Sequence, residues 1–296
     1  MSKLMHRFSL ANVIIAFVIL LFSIFCILPM VLTFMVSISE EDVVRAYGYS
    51  FFPKKLSLYA YKLIFVRGSL VTRAYVVSIT TTVVGTLLAV VTTMMGAYLL
   101  ANKNVRYRSQ LSLFFFVTMV FSTGIVPWYF MCRNLGLINN FWALIIPSLV
   151  FSPFNLFLVR NFMSTIPDEL RECATIDGAN DATIAFRIYL PLSTPVMATV
   201  ALFYGLGYWN SWFNAIMLVE DRSMYPLQYI LMQIQSQMRL ITELQRSYGQ
   251  NITNITPPTE TAKMATAIIT IGPIIFLYPF LQRYFVKGLI IGSVKG

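Results

Sequence analysis

Ile166–Pro191 reads IPDELRECATIDGANDATIAFRIYLP and lies between strongly apolar segments. It is the longest run in the chain that mixes both signs of charge, small residues and a helix-breaking glycine. Pro167 suits a first helical turn, and Asp168 and Glu169 favour the positive end of a helix dipole. Leu170, Cys173 and Ala174 fall on one face at i, i+3 and i+4, where two small residues let another surface approach closely. Gly178 is a natural helix stop, since glycine takes the left-handed conformation without penalty. Asn180 or Asp181 can cap a second helix that runs to Leu190, ahead of Pro191. The stretch therefore reads as helix, sharp turn, helix, outside the lipid and built to plug into something.

The rest of the chain sets that hairpin in a membrane. Of 296 residues, 57% are hydrophobic and only 11% charged, whereas a soluble domain is about one quarter charged. This composition excludes a globular enzyme with a single anchor and predicts an all-α polytopic protein. The net charge of +10 is spread along loops and span ends, so it reflects membrane topology rather than nucleic-acid binding. Cys26, Cys132 and Cys173 are few, odd in number and without ligand spacing, so neither a disulfide framework nor a metal site is expected. His6 sits in a basic amino-terminal tail.

Taken in order, Lys3 and Arg7 precede a first apolar run, about 13–36, long enough to cross a bilayer and without a small-residue cleavage site. Residues 37–73 are polar and aromatic and suit the membrane surface. The second span is about 75–100. It carries Gly85 and Gly96, as helices in close contact often do. Lys103, Arg106 and Arg108 crowd the next short loop, which places it on the cytoplasmic side. Further spans are expected at about 111–131, 141–159, 195–219 and 264–285. The third carries Gly124 and Pro127, the fourth Pro147 and Pro153, and the last is broken by Gly272-Pro273 and by Pro279. Residues 220–263 form a second long external segment that reads as a solvated connection. Six spans put both termini inside, with a cytoplasmic tail at 286–296.

The chemistry is that of a conduit. No GxxxxGK[ST] phosphate loop occurs, so the chain does not hold ATP by that mechanism. No catalytic set stands out, and acidic residues avoid the spans, unlike in an ion-coupled carrier with an ionisable site at mid-membrane. One polar and aromatic cluster falls within a span: Tyr204, Tyr208, Trp209, Asn210, Trp212 and Asn214. Aromatic faces cover the apolar faces of sugar rings, and amides bond hydroxyls; helix packing with an interfacial aromatic belt is the plainer account. At about 100° per residue, Asn210 and Asn214 are neighbours on a continuous helix, and Tyr208 and Trp209 flank that stripe. The two amides are then the hydroxyl ligands, with Trp209 or Tyr208 as a stacking surface.

Glu172, Ala174, Gly178, Ile188, Leu190 and Pro191 reproduce the pattern E-x-A, three residues, G, nine residues, I-x-L-P. This resembles the coupling loop of permease subunits in binding-protein-dependent ABC importers, with Cys173 where that family usually has alanine. The ending, Leu277 to Gly288 followed by Gly-Ser-Val-Lys-Gly, resembles the carbohydrate-importer branch, in the smaller of its two permease subunits. The resemblance implies one permease domain of six transmembrane helices that works by alternating access. It implies a second homologous permease, two ATPase subunits that bind ATP and Mg, an external sugar-binding protein and an oligosaccharide substrate. It assigns ATPase coupling to Glu172, Cys173, Ala174, Asp177, Gly178, Ile188, Leu190 and Pro191. It assigns an ATPase-contacting tail to Gln282, Arg283, Lys287 and Lys295, and a substrate pathway to Tyr208, Trp209, Asn210 and Asn214. No cofactor or metal on this chain is expected, and its place is the bacterial cytoplasmic membrane. The rivals are an ABC permease for a polyol, glycerol phosphate or amino acid, and an ion-coupled secondary carrier.

Overall fold

The computed structural model describes residues 10–66, 68–147, 150–248, 260–272 and 275. Among these the regular structure is helical, with a single antiparallel bridge between Ser39 and Leu56. Two helices are long and apolar enough to cross a membrane, or up to four if each of two bent pairs counts as one span. The described residues fall into two compact units, one running to Gly68 and resuming at Ile234–Gly272, the other Ser69–Gln233.

In the first unit, α1 (Leu10–Ser37) is a single helix with Pro29 inside it. From Val13 to Phe34 its large apolar side chains are exposed, which suits a lipid or protein neighbour and not water. Two short helices follow, α2 (Glu41–Tyr47) and α3 (Tyr59–Val66). The chain leading into α2 is tied to the chain leading into α3 by Glu40 N–H to the Lys55 carbonyl at 3.1 Å and Ser57 N–H to the Ile38 carbonyl at 2.8 Å. Glu41 reaches the last described helical run, residues 260–272. It accepts Glu260 N–H at 3.1 Å, Thr261 N–H at 2.9 Å and the Thr261 hydroxyl at 2.8 Å. Three donors thus converge on one carboxylate, and the two N–H groups gain a charged acceptor.

In the second unit, α4 (Gly68–Ala101) is the central element. Ala89, Met94, Ala97, Tyr98 and Leu100 of α4 enter one core with Leu156, Val159 and Met163, and with Val200, Tyr204 and Tyr208 further along the chain. Both span glycines are contact points: a Cβ on Gly96 would lie 2.9 Å from Leu156, and one on Gly85 would lie 2.4 Å from the Tyr208 ring. The expected continuous helix over 111–131 is broken into α5 (Arg108–Val120) and α6 (Ile125–Asn134), bent by 118°. Gly124, at φ +80°, makes that bend, in a conformation that other residues resist.

The stretch 141–159 also departs from one helix. A 3-10 turn at Phe141–Leu144 is followed by non-helical chain at 145–147 and 150–152, and α7 (Pro153–Met163) begins only at Pro153, with Ser152 as its cap. Pro147 and Pro153 lack the N–H groups that a continuous ladder needs. Downstream come α8 (Asp168–Ile176), α9 (Asp181–Ile184), a π-type turn over Ala185–Tyr189, α10 (Leu190–Leu192) and α11 (Thr194–Trp209), with an 86° bend before α11. A short α12 (Phe213–Leu218) follows a break, so 195–219 is not one helix either. Residues 220–263 are more than a solvated connection. They contain α13 (Leu227–Tyr248), which buries Leu227, Ile230, Leu231, Ile234 and Met238 at helical spacing.

Candidate functional site

The hairpin of α8 and α9 is built as its sequence dictates. Asp177 ends α8, and Gly178 at φ +79° turns the chain with open space around its Cα. Gly178 N–H donates to the Thr175 carbonyl at 3.0 Å and Ala179 N–H to the Ala174 carbonyl at 2.9 Å. That paired closure is the glycine-terminated cap of a helix C-terminus. Asn180, not Asp181, caps α9, accepting Thr183 N–H at 2.8 Å. Asp181 instead accepts the Tyr98 hydroxyl at 3.1 Å.

Several contacts fix the hairpin to the end of α4. Lys103 meets Asp168 at 2.6 Å, and that bond holds the Asp168 carboxyl below its usual range. With its amide oxygen turned toward Arg171, Asn104 accepts from both terminal guanidinium nitrogens at 3.1 and 3.2 Å. Tyr98 and Tyr189 meet edge to face, 5.1 Å between centroids. Composition and motif reading missed Tyr98, Lys103 and Asn104, because nothing in a single sequence links residues some seventy positions away.

Glu172, Cys173, Asp177 and Pro191 are exposed, Ile188 and Leu190 half-buried. The expected common face divides: Leu170 and Cys173 point outward, while Ala174 packs against the chain's own core. Ile176 is 85% exposed, and Leu170 and Phe186 are also open. Three apolar side chains beside an exposed carboxylate form a surface that water does not favour. Gln282, Arg283, Lys287 and Lys295 lie outside the described residues.

The pathway cluster is rearranged by the break after α11. Asn210 ends that helix, so Asn210 and Asn214 do not share one stripe, contrary to the continuous-helix expectation. Asn214 is buried and donates to the Pro147 carbonyl at 3.0 Å; Tyr208 is buried and donates to the Ile145 carbonyl at 3.0 Å. The Tyr204 hydroxyl bonds Thr93 at 2.7 Å and accepts Ser152 N–H at 3.0 Å, and Thr92 donates to the Val150 carbonyl at 2.9 Å. Four side chains thus bond backbone groups of Ile145, Pro147, Val150 and Ser152, which lie outside regular helix. Trp209 is buried 6.4 Å from Tyr75, centroid to centroid. Asn210 alone of the four is exposed, bonded to the Leu206 carbonyl at 2.9 Å and to the Gln228 amide at 3.2 Å.

Residues 93–291, from the second half of α4 through the hairpin and beyond, match a family described as binding-protein-dependent transport system inner membrane components. The chain belongs to that family. Among similar proteins, protein LplC of Bacillus subtilis (strain 168) is 40% identical over 270 residues, covering 91% of this chain and 90% of that one. The polygalacturonan/rhamnogalacturonan transport system permease protein YtcP of the same organism is 35% identical over 277 residues, covering 94% and 95%. The structure is similar to a chain in the crystal structure of a bacterial ABC transporter involved in import of the acidic polysaccharide alginate. The TM-score is 0.79 at 28% identity, over 93% of this chain and 96% of that one. The permease is thus a helical membrane component of a transport system, and its chemistry is passage rather than bond-making.

Proposed function

We propose that this permease is one subunit of an ATP-driven importer that moves oligosaccharide into the cytoplasm by alternating access. It forms a single domain of six spans with both termini inside, bent where α5 meets α6 and where α10 meets α11. Its partners are a second homologous permease, two ATPase subunits that bind ATP and Mg, and an external sugar-binding protein. The hairpin is the piece that enters the ATPase. Glu172, Cys173, Asp177 and Gly178 lie at its open end, Ile176 supplies apolar contact, and Ile188, Leu190 and Pro191 lead back into α11. Closure of the ATPases pushes the hairpin, and the Lys103–Asp168 and Tyr98–Asp181 contacts carry that push into α4. The tail residues Gln282, Arg283, Lys287 and Lys295 lie against the same ATPases.

The observation that carries the reading is the rigid, outward-facing hairpin on a chain of this family. The substrate class follows the similar proteins, one named for polygalacturonan and rhamnogalacturonan and one for alginate. In the pathway, Asn210 with Gln228 offers amide groups to hydroxyls, and Tyr208, Trp209 and Asn214 shape the wall behind them. The test is reconstitution of the complete transporter with its binding protein in vesicles. Labelled acidic and neutral oligosaccharides should be taken up only with internal ATP. Uptake driven by a proton or sodium gradient without ATP would overturn the reading.

A further inference from the structure

A second site lies at the edge of the core, in a cleft of about 620 Å³ between α5 and α7. Its walls are Leu113, Phe116 and Met119 on one helix and Phe154, Phe157 and Leu158 on the other. Ser112, Arg160 and Asn161 also line it. The Lys103–Asp168 ion pair joins the chain just before α5 to the chain just after α7, so the start of α5 and the end of α7 lie together. Ser112 and Arg160 therefore share one end of the cleft, and the apolar walls run away from it.

That end is chemically unfinished. The Ser112 hydroxyl and Arg160 Nε are both shielded and have no hydrogen-bond partner among the described residues. The Arg160 guanidinium lies 6.0 Å from the Phe157 ring and forms no ion pair among the described residues. Leaving a charged donor shielded and unpaired is costly, so the site favours an anionic group. Ser112 stands one turn into α5, directly after the basic loop of Lys103, Arg106 and Arg108, which marks headgroup depth on the cytoplasmic side.

We propose that the α5–α7 cleft binds an anionic phospholipid of the inner leaflet, its phosphate held by Arg160 and Ser112 and an acyl chain laid along Phe116, Met119, Phe154 and Phe157. The orientation rests on the topology given under Proposed function. A second permease chain is the other occupant to weigh. It would bring its own basic loops to this depth, where carboxylates are scarce and anionic headgroups abundant.

The test is native mass spectrometry of the intact transporter, stripped of loose lipid and titrated with phosphatidylglycerol or phosphatidylcholine. Wild type should retain phosphatidylglycerol and not phosphatidylcholine. Arg160→Gln should weaken retention about tenfold or more, Ser112→Ala by less, and Leu113→Trp, which fills the cleft, should abolish it; Arg239→Gln, a basic control, should change nothing. Equal retention by Arg160→Gln and wild type overturns the proposal, as does a cysteine at Met119 that cross-links to the second permease chain. Should Arg160→Gln fail to assemble, retention by both Ser112→Ala and Leu113→Trp overturns it instead. Lipid retention is read without transport, so a different solute leaves it untouched. A cysteine at Asn104, labelled only from inside, checks the orientation separately.

Discussion

The Tyr208 ring rests directly on Gly85, so that a Cβ at that glycine would lie 2.4 Å from the ring's Cζ. The hydroxyl on that same Cζ donates to the Ile145 carbonyl at 3.0 Å. One side chain thus closes α4 against α11 and holds the first residue of the irregular segment. Gly85→Val should prevent this approach and lower the melting temperature of the purified transporter sharply, because overpacking a tight contact costs about 1–3 kcal/mol or more. Tyr208→Phe keeps the ring and removes only the donor, for a loss of about 1–3 kcal/mol from the stranded carbonyl. A thermal melt showing Gly85→Val equal to wild type would refute the contact.

Gly178 is constrained by its backbone and not by its neighbours, since nothing lies within 4 Å of a Cβ placed there. Gly178→Val should therefore insert into the membrane yet lose coupling, the left-handed conformation costing about 1–2 kcal/mol and displacing the hairpin tip. Gly178→Asn should retain most uptake, because asparagine visits that conformation. Vesicle uptake together with ATPase co-purification measures both. Equal activity in the valine and asparagine variants would remove the turn from the mechanism.

Asn210 and Asn214 should now behave differently. A cysteine at Asn210 should react with a small water-soluble thiol reagent and be protected by bound sugar, whereas one at Asn214 should stay inert. Asn210→Leu should impair uptake with assembly intact. Asn214→Leu should instead destabilise by about 1–3 kcal/mol, because the buried Pro147 carbonyl loses its donor. Reversed reactivity of the two cysteines would return the pathway to Asn214.

The Glu41 clamp carries a pH dependence. Burial by itself raises the Glu41 carboxyl, but bonds from Thr261, Glu260 and Arg45 outweigh it and leave the group below its usual range. Glu260 is lowered as well, by Lys263 and by Tyr49, whose own hydroxyl is pushed up to about 12 by the bond to Glu260. A carboxylate with a depressed folded pKa contributes its stability in full above the unfolded value of about 4.3 and loses it as pH falls through the folded value. Amide exchange at Glu260 and Thr261 should therefore be slow at pH 6–7 and quicken, after correction for intrinsic rates, as pH drops below about 4.3. Glu41→Gln should exchange faster at neutral pH and show a flatter profile. Identical profiles for the two proteins would dissolve the clamp.

Much of the hairpin was legible because its determinants are local. Pro167, the acidic first turn, Gly178 and the capping choice between Asn180 and Asp181 act within a few residues of where they stand, so sequence order carries them. The apolar composition and the basic loop at Lys103–Arg108 likewise declared a helical membrane protein, because a bilayer demands long apolar helices whatever their arrangement. Tertiary structure decided what depends on partners far along the chain. Pro147 and Pro153 announce a break, but only the hydroxyls and amides of Thr92, Tyr204, Tyr208 and Asn214 make irregular chain tolerable there, and they come from α4 and from the segment after the hairpin. The same long-range bonding buries Tyr208 and Asn214 and leaves Asn210 exposed. A backbone group away from water must be satisfied by some donor or acceptor, and which side chain supplies it is fixed by packing, not by proximity in sequence.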